Sequence, residues 1–440
     1  AFAAYFHGRT RGRVMPFAFS GLLFALAGWA RPEALVLAGG QGERLYPLTR
    51  DRSKPAVPFG GIYRIIDFTL SNCLNSDLRR ILVLTQYKSN SLDRHLRHAW
   101  HIFNPDLGEF LDTLPPQQRI GERWYQGTAD AIYHNLFFLE AEKPRHVVIL
   151  SGDHIYKMDY AEMLEFHLSR KADLTVAAVE VEIDKAAGQF GVLQVDDDER
   201  IVGFEEKPQQ PKPVPGRPDR CLVNMGVYIF ETDALVRNVV EDARKQTAHD
   251  FGRNIIPAML PGHRVSAFRF VDKNRKDQSY WRDIGTLDSY YEASMDLVQV
   301  EPFFNLYDKE WPLRTYPAFD PPAKMVFAGD AKAGGDPDRI GIALDSLVSI
   351  GVIISGGRVE RSILSSGVKV KSYARVADSI LFDGVEIGRH CDIHRAIIDK
   401  EVKVPPETVI GRDLEADARR FTVSPGGIVV IPKGADLSEI

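Results

Sequence analysis

From Ala34 to about Val300, short apolar runs alternate with longer stretches of mixed polarity. Ala34–Leu37, Ile81–Leu84, Val147–Leu150, Leu174–Val179 and Val227–Phe230 are rich in Val, Ile and Leu, as strands buried on both faces must be. Between several of them lie helical candidates such as Tyr160–Arg170 and Asp233–Glu241. This alternation predicts a mainly parallel sheet covered by helices, an α/β fold. Ligands collect in such sheets beyond the carboxyl ends of the strands. The Gln209–Pro218 stretch is proline-rich and reads as a surface loop, and Pro302–Leu344 reads as an irregular, proline-rich connection.

Beyond Ser346 the period changes. Apolar residues recur every six positions: Ile353 and Val359, Val370 and Val376, Leu381, Ile387 and Ile393, then Ile398, Val404 and Ile410. Glycines and small polar residues lie between them, which marks a parallel β-helix whose short strands each form one side of a coil. A meandering β-sandwich is the alternative for the same spacing. The expected organisation is an extension over 1–33, an α/β domain over 34–300, a linker over 301–345 and a β-helix over 346–440.

Composition narrows the function. An apolar content of 44% and a charged content of 26% suit a globular protein, and 440 residues suffice for two cores. A net charge of −5 argues against a general nucleic-acid binder. Three cysteines (Cys73, Cys221 and Cys391), widely spaced and without a CxxC, suit a reducing cytoplasm and build no zinc site. The first 32 residues carry arginines, no acid and an apolar run from Phe17 to Trp29, a pattern shared with signal and transit segments. That run is too short for a comfortable membrane span.

Leu37-Ala38-Gly39-Gly40-Gln41-Gly42-Glu43-Arg44-Leu45 follows the first strand and leads through Pro47 and Thr49 to Ser53-Lys54-Pro55. Three glycines let successive N–H groups face a phosphate, and Arg44 and Lys54 add two cations. No Gly-Lys-Ser/Thr closes the loop, and Leu45 stands where a dinucleotide fingerprint needs a small residue. Asp153 follows an apolar strand and a glycine, which puts its carboxylate on the same rim.

The glycine loop with Lys54-Pro55 resembles the sugar-nucleotide pyrophosphorylases, which join a nucleoside triphosphate to a sugar 1-phosphate. The resemblance continues through Arg64-Ile65-Ile66-Asp67-Phe68, Thr85-Gln86-Tyr87, Trp124-Tyr125-Gln126-Gly127-Thr128-Ala129-Asp130 and Ser151-Gly152-Asp153-His154-Ile155-Tyr156. It runs on through Glu206-Lys207-Pro208, Met225-Gly226-Val227-Tyr228, His249-Asp250-Phe251-Gly252 and Tyr280-Trp281-Arg282-Asp283-Ile284-Gly285-Thr286. Together these blocks look like the glucose-1-phosphate adenylyltransferase branch and cover nearly everything from Ala34 onward.

The resemblance implies a Rossmann-like nucleotidyltransferase domain followed by a left-handed β-helix. It also implies ATP and glucose 1-phosphate as substrates and Mg2+ held by Asp153 and Asp283. Arg44, Lys54 and Asp153 would be catalytic. Leu37, Ala38, Gly39, Gly40, Gly42, Gln118 and Gly127 would bind the nucleotide, with Gln118 reading adenine. Tyr125, Glu206, Lys207 and Asn224 would bind glucose 1-phosphate, although Asn224 departs from the serine often found there. His154 is expected to be a hydrogen-bonded core histidine.

Arg64, Lys400 and Lys433 match basic positions of an activator-phosphate site. Asp51 replaces a basic residue there and Pro58 a histidine, which disfavours fructose 1,6-bisphosphate and leaves the activator unnamed. The resemblance further implies a cytoplasmic homotetramer regulated by metabolite activators and inhibitors, with no nucleic-acid or membrane partner. A UTP-using pyrophosphorylase, a non-catalytic regulatory subunit and a hexapeptide acyltransferase are the other readings. The joint presence of Arg44, Lys54, Asp153, Lys207 and Asp283 speaks against the regulatory subunit.

Overall fold

A computed structural model describes residues 32–437 apart from 41, 117–123, 275–278, 317, 330–335 and 337. Most of the N-terminal extension and Gln118 therefore lie outside the described residues.

The first domain is built on a nine-stranded sheet. Its central strand, Glu33–Ala38, runs parallel to Arg80–Thr85 on one side and to His146–Ser151 on the other, and Phe110–Leu114 continues the parallel half. Beyond His146–Ser151 the long strand Arg220–Glu231 is antiparallel, and it carries Leu174–Glu182 and Gly191–Val195 as antiparallel neighbours. The register sets the functional rim. Leu37 lies opposite Ser151 and Ala38 opposite Thr85, so the loops after three strands leave the sheet at one level.

Each strand is apolar on both faces because both faces are covered. Val36, Val148 and Leu150 pack with Ile66, Leu70 and Cys73 of the helix Ile65–Asn75 and with Met163 of the helix Tyr160–Arg170. Leu35, Val147 and Ile149 pack on the other side with Ile132, Leu139 and Leu235. Full burial of each such side chain contributes about 1.5–3 kcal/mol, so the sheet makes a rigid floor for the rim.

One acid breaks this pattern. Glu33 is fully buried at the start of the central strand, and burial pushes its carboxyl up to about 7 against the opposing pull of Arg80, 3.2 Å away. A carboxyl whose folded pKa lies above its unfolded value stabilises the fold only at low pH. That contribution is lost as the pH rises from the ordinary glutamate range through 7. Glu33→Gln should therefore raise the thermal midpoint at pH 8, with the difference closing at pH 4.5. Equal shifts at both pH values would show that the carboxyl does not titrate in this window.

The second domain is a left-handed parallel β-helix with three walls. Arg358 pairs with Arg375 and Arg375 with Asp392, so one coil spans 17 residues. The hexads read from sequence point inward except at their start, where Ile353 is exposed and its neighbour Ile354 takes the inward place. Ile354, Val370, Ile387 and Val404 line one wall, Val359, Val376, Ile393 and Ile410 the second, and Leu364, Leu381 and Ile398 the third. The third wall is apolar on its outer side as well. Ile363, Ile380, Ile397 and Val430 are buried against Phe59, Phe68, Leu287, Tyr290 and Tyr291 of the first domain. The sequence placed the linker over 301–345, but Lys324–Val326 already pairs with Ile353–Ser355, and Ile342–Leu344 with Arg358–Glu360. The coil thus starts earlier. Its first strand is largely exposed and leaves no apolar hexad to read.

Polar contacts fix the docking. Tyr291 donates its hydroxyl to the Asp378 carbonyl at 2.7 Å. Arg52 makes a bidentate pair with Asp399 at 2.9 and 3.0 Å, both side chains being at least 96% buried.

Candidate active site

The glycine loop leaves the central strand and turns at Gly42, whose φ of +65° suits glycine. A side chain there would also press on Thr49 and Lys54 at 3.0–3.1 Å. The loop returns as a short turn, Lys54–Ala56, that buries Lys54. On the neighbouring strand, the N–H of Gly152 donates to the Leu37 carbonyl at 3.0 Å, which locks Asp153 beside the loop.

Asp283 reaches the same point by a route no spacing reveals. The strand Trp281–Asp283 runs antiparallel to His154–Tyr156, with Asp283 directly opposite His154. Lys54 Nζ lies 2.7 Å from Asp153 Oδ2 and 3.1 Å from Asp283 Oδ1. His154 Nε2 is 3.5 Å from one carboxylate and 3.7 Å from the other. Its ring meets Trp281 edge-on, and its buried Nδ1 has no hydrogen-bond partner among the described residues. His154 is thus part of the rim cluster rather than the hydrogen-bonded core histidine expected.

Electrostatics agree with this geometry. Burial pushes the Asp153 carboxyl up, but Lys54, His154 and the Ser151 hydroxyl outweigh it and hold the group well below the ordinary carboxylate range. Burial lowers the Lys54 ammonium, and the two aspartates more than reverse that. The two carboxylates converge on one point now filled by an ammonium. Asp153, His154 and Asp283 each offer one ligand atom within 4.8 Å of the others. Two hard carboxylates around a cation-sized position fit Mg2+.

A cleft of about 720 Å³ opens over this cluster. Leu37, Ala38, Gly39, Gly40, Gly42, Arg44, Lys54, Tyr125, Gly127 and Asp153 all line it. The Arg44 guanidinium lies over Gly285, where an added Cβ would meet it at 3.2 Å. Gly127 is demanded by packing: a Cβ there would stand 2.2 Å from the His249 carbonyl and 2.3 Å from that of Ala248. Gln86, Tyr87 and Asp250 also line the cleft and were not singled out from sequence. Gln86 and Tyr87 follow a strand of the parallel half, which is the signal that could have found them.

Glu206, Lys207 and Asn224 are not among the residues that line this cleft. Thr128 bonds Asp250 at 3.0 Å, and Asn224 donates to the Tyr228 hydroxyl at 2.9 Å. Burial and neighbouring Asp250 push the Glu206 carboxyl up, with Lys207 acting against them. Lys207 itself has φ +50° and is tied by its N–H to the Phe190 carbonyl at 3.1 Å.

Arg64, Lys400 and Lys433 meet in a second cleft, of about 1190 Å³, between the two domains. Asp51 and Pro58 line it too. Burial lowers the Lys400 ammonium, and Arg64 and Arg52 lower it further. Cations therefore crowd one another here, although Asp383 pairs with Lys400 and Glu401 with Lys433.

Residues 33–300 match the nucleotidyl transferase family, and residues 321–431 match the C-terminal hexapeptide family of GlmU-like proteins. A glucose-1-phosphate adenylyltransferase of Rhodopirellula baltica is 56% identical over 91% of this chain and 89% of its own length. That of Methylococcus capsulatus is 52% identical over 90% and 92%. Glucose-1-phosphate adenylyltransferase 2 of Vibrio cholerae is 52% identical over 92% and 98%.

Proposed function

The chain belongs to the nucleotidyl transferase family, among the glucose-1-phosphate adenylyltransferases, and from that premise we propose that it makes ADP-glucose and pyrophosphate from ATP and α-D-glucose 1-phosphate. The observation that carries this reading is Lys54 held between Asp153 and Asp283, in a cleft that the glycine loop and Arg44 also line.

The nucleophile is a sugar-phosphate oxygen, already anionic, so the site needs no strong general base. Positioning and charge neutralisation carry the rate. Asp153 and Asp283 would hold Mg2+, which when bound neutralises charge on the transferring phosphoryl group and the leaving pyrophosphate. Lys54 and Arg44 face the same phosphates, and the loop over Leu37–Gly42 offers backbone N–H groups to them. Gly127 lets the chain pass close to the nucleotide. Tyr125, Glu206, Lys207 and Asn224 take the sugar phosphate, with Glu206 accepting hydroxyls. Gln118 reads the adenine edge in this proposal.

Pyrophosphate release should require ATP, glucose 1-phosphate and Mg2+ together. Faster turnover with UTP, CTP or GTP would reject the adenylyl assignment. Lys207→Ala should raise KM for glucose 1-phosphate about 30- to 100-fold, because a lost cation–phosphate contact removes about 2–3 kcal/mol, with little effect on KM for ATP. Equal effects on both substrates would place this lysine elsewhere.

In this reading the reaction commits glucose to glycogen or a related α-glucan in the cytoplasm. The three cysteines are buried and unpaired, as a reducing compartment allows. No helix among the described residues is long and apolar enough to cross a membrane. The inter-domain cleft takes an anionic metabolite, and the working assembly is a homotetramer. Arg64→Ala and Lys433→Ala should keep unstimulated activity but blunt activation in a screen of fructose 6-phosphate, fructose 1,6-bisphosphate and pyruvate. Coupling of this kind is worth about 1–3 kcal/mol. If wild type responds and both variants respond with the same midpoint and amplitude, the activator binds elsewhere.

A further inference from the structure

We propose that His146, His167 and Glu231 form a second metal site, for a transition-metal ion of the zinc class, at the end of the sheet remote from the cleft. His146 opens the strand whose other end is Ser151. Five residues of strand separate the two ends by about 17 Å, so this cluster is distinct from Asp153 and Asp283.

Three elements of the fold meet here. Glu231 ends the antiparallel strand and lies directly opposite His146 in register. His167 comes from the third turn of the helix Tyr160–Arg170, and its ring meets that of His146 edge-on, centroids 5.5 Å apart. One ligand atom from each residue falls within 4.8 Å of the others, and His146 Nε2 is 3.2 Å from Glu231 Oε1. Tetrahedral zinc with bonds of about 2.0–2.2 Å sets ligand-to-ligand edges of about 3.3 Å, so a small inward rotation of His167 completes the set.

His167 supplies the second, independent observation. Its ring is 99% buried, yet Nε2 has no hydrogen-bond partner among the described residues. A buried polar atom left without a partner costs about 1–3 kcal/mol, and a metal bond would remove that cost. The other ring nitrogen, Nδ1, lies 2.8 Å from Thr175 Oγ1. With Nδ1–H donated to Thr175, Nε2 is left with a lone pair that an ion could take, and a contact of this kind orients histidine ligands in metal sites. Burial pushes both imidazoles below the ordinary histidine range, which suits neutral ligands.

The donor set selects the metal class. Two imidazoles and one carboxylate favour zinc, cobalt or nickel, whereas magnesium prefers oxygen throughout. Glu231 keeps 34% of its side chain exposed, which gives an entry path and leaves a fourth position for water. Arg145, 3.9 Å from Glu231 and 67% exposed, is the only cation the structure pairs with that carboxylate among the described residues, and it is free to swing outward. A bound ion would tie the helix to both strands at the base of the sheet.

The test is a cobalt titration of the chelator-treated full chain, with saturating Mg2+ present to occupy the oxygen-rich rim. Wild type and Asp153→Asn should each take up one Co2+ with an intense visible absorption, and Zn2+ should displace it. His167→Gln should lose the band, and Thr175→Val should weaken binding about 10- to 100-fold. Pyrophosphate release by His167→Gln and Thr175→Val should match wild type. Should His167→Gln fail to fold, Glu231→Gln at the exposed edge must show the loss instead. Absence of saturable 1:1 uptake at micromolar metal overturns the proposal, as does uptake abolished by Asp153→Asn or unaffected by His167→Gln. The cluster would then be a hydrogen-bonded pair beside an unsatisfied histidine.

Discussion

Asp153→Asn lowers kcat by about 10²- to 10⁴-fold and leaves the fold intact. The exchange keeps the shape of the side chain and removes one of the two charges that converge beside Lys54. Lewis-acid stabilisation of a phosphoryl transfer is worth several kcal/mol, and each 1.36 kcal/mol is tenfold in rate. Stability should change little, because Asp153 stands on the rim with 27% of its side chain exposed and carries no core packing. Lys54 also keeps Asp283 as a partner. The check is kcat at saturating magnesium together with circular dichroism and thermal midpoint. A near-wild-type kcat in a folded protein would remove Asp153 from the metal site. Because its neighbours hold this carboxyl well below the ordinary range, any acid limb of the wild-type rate profile should belong to another group.

Arg52→Ala costs about 3–5 kcal/mol of stability. Arg52 and Asp399 are both almost wholly buried, and removing the guanidinium strands a carboxylate in the domain interface. Arg52 Nη1 also donates to the Leu48 carbonyl at 3.2 Å, so the loop ahead of Lys54 loses its brace in the same step. Denaturant unfolding measures the effect, and a double variant sharpens it. Arg52→Met with Asp399→Leu fills the space without charge and should recover much of the loss, since a buried pair replaced by apolar groups is often neutral. A single variant as stable as wild type would show that water reaches Asp399 in solution.

The two domains were legible from sequence because their apolar patterns obey simple geometry. Strands covered on both faces read as continuous apolar runs, and inward positions of a coil read as hexads. The start of the coil was hidden because Lys324–Val326 exposes most of its surface. The rim was legible where a residue follows close on its strand, as Gly39 and Asp153 do, and Gln86 carried the same signal without being picked out. Asp283 was legible only through the family resemblance, since no spacing shows the pairing of Trp281–Asp283 with His154–Tyr156 that brings it in. His154 misled for the same reason: that pairing brings Asp283 beside its ring, which Asp153 already flanks along the chain. Gly127 carries a packing demand from His249 that lies more than a hundred residues downstream, beyond any local pattern.

The third wall of the β-helix gives the chain a phase. Its strands Ile363–Leu364, Ile380–Leu381 and Ala396–Ile398 are apolar inside and out, while the other walls turn residues such as Lys369 or Arg375 to solvent. A deletion of one residue would rotate every later strand by a fraction of a turn and present charge to Tyr290 and Tyr291. Removal of a whole 17-residue coil would return the same wall to the same neighbours. Length variation in this half of the molecule is therefore quantised: the interface admits whole coils and rejects fractions of one.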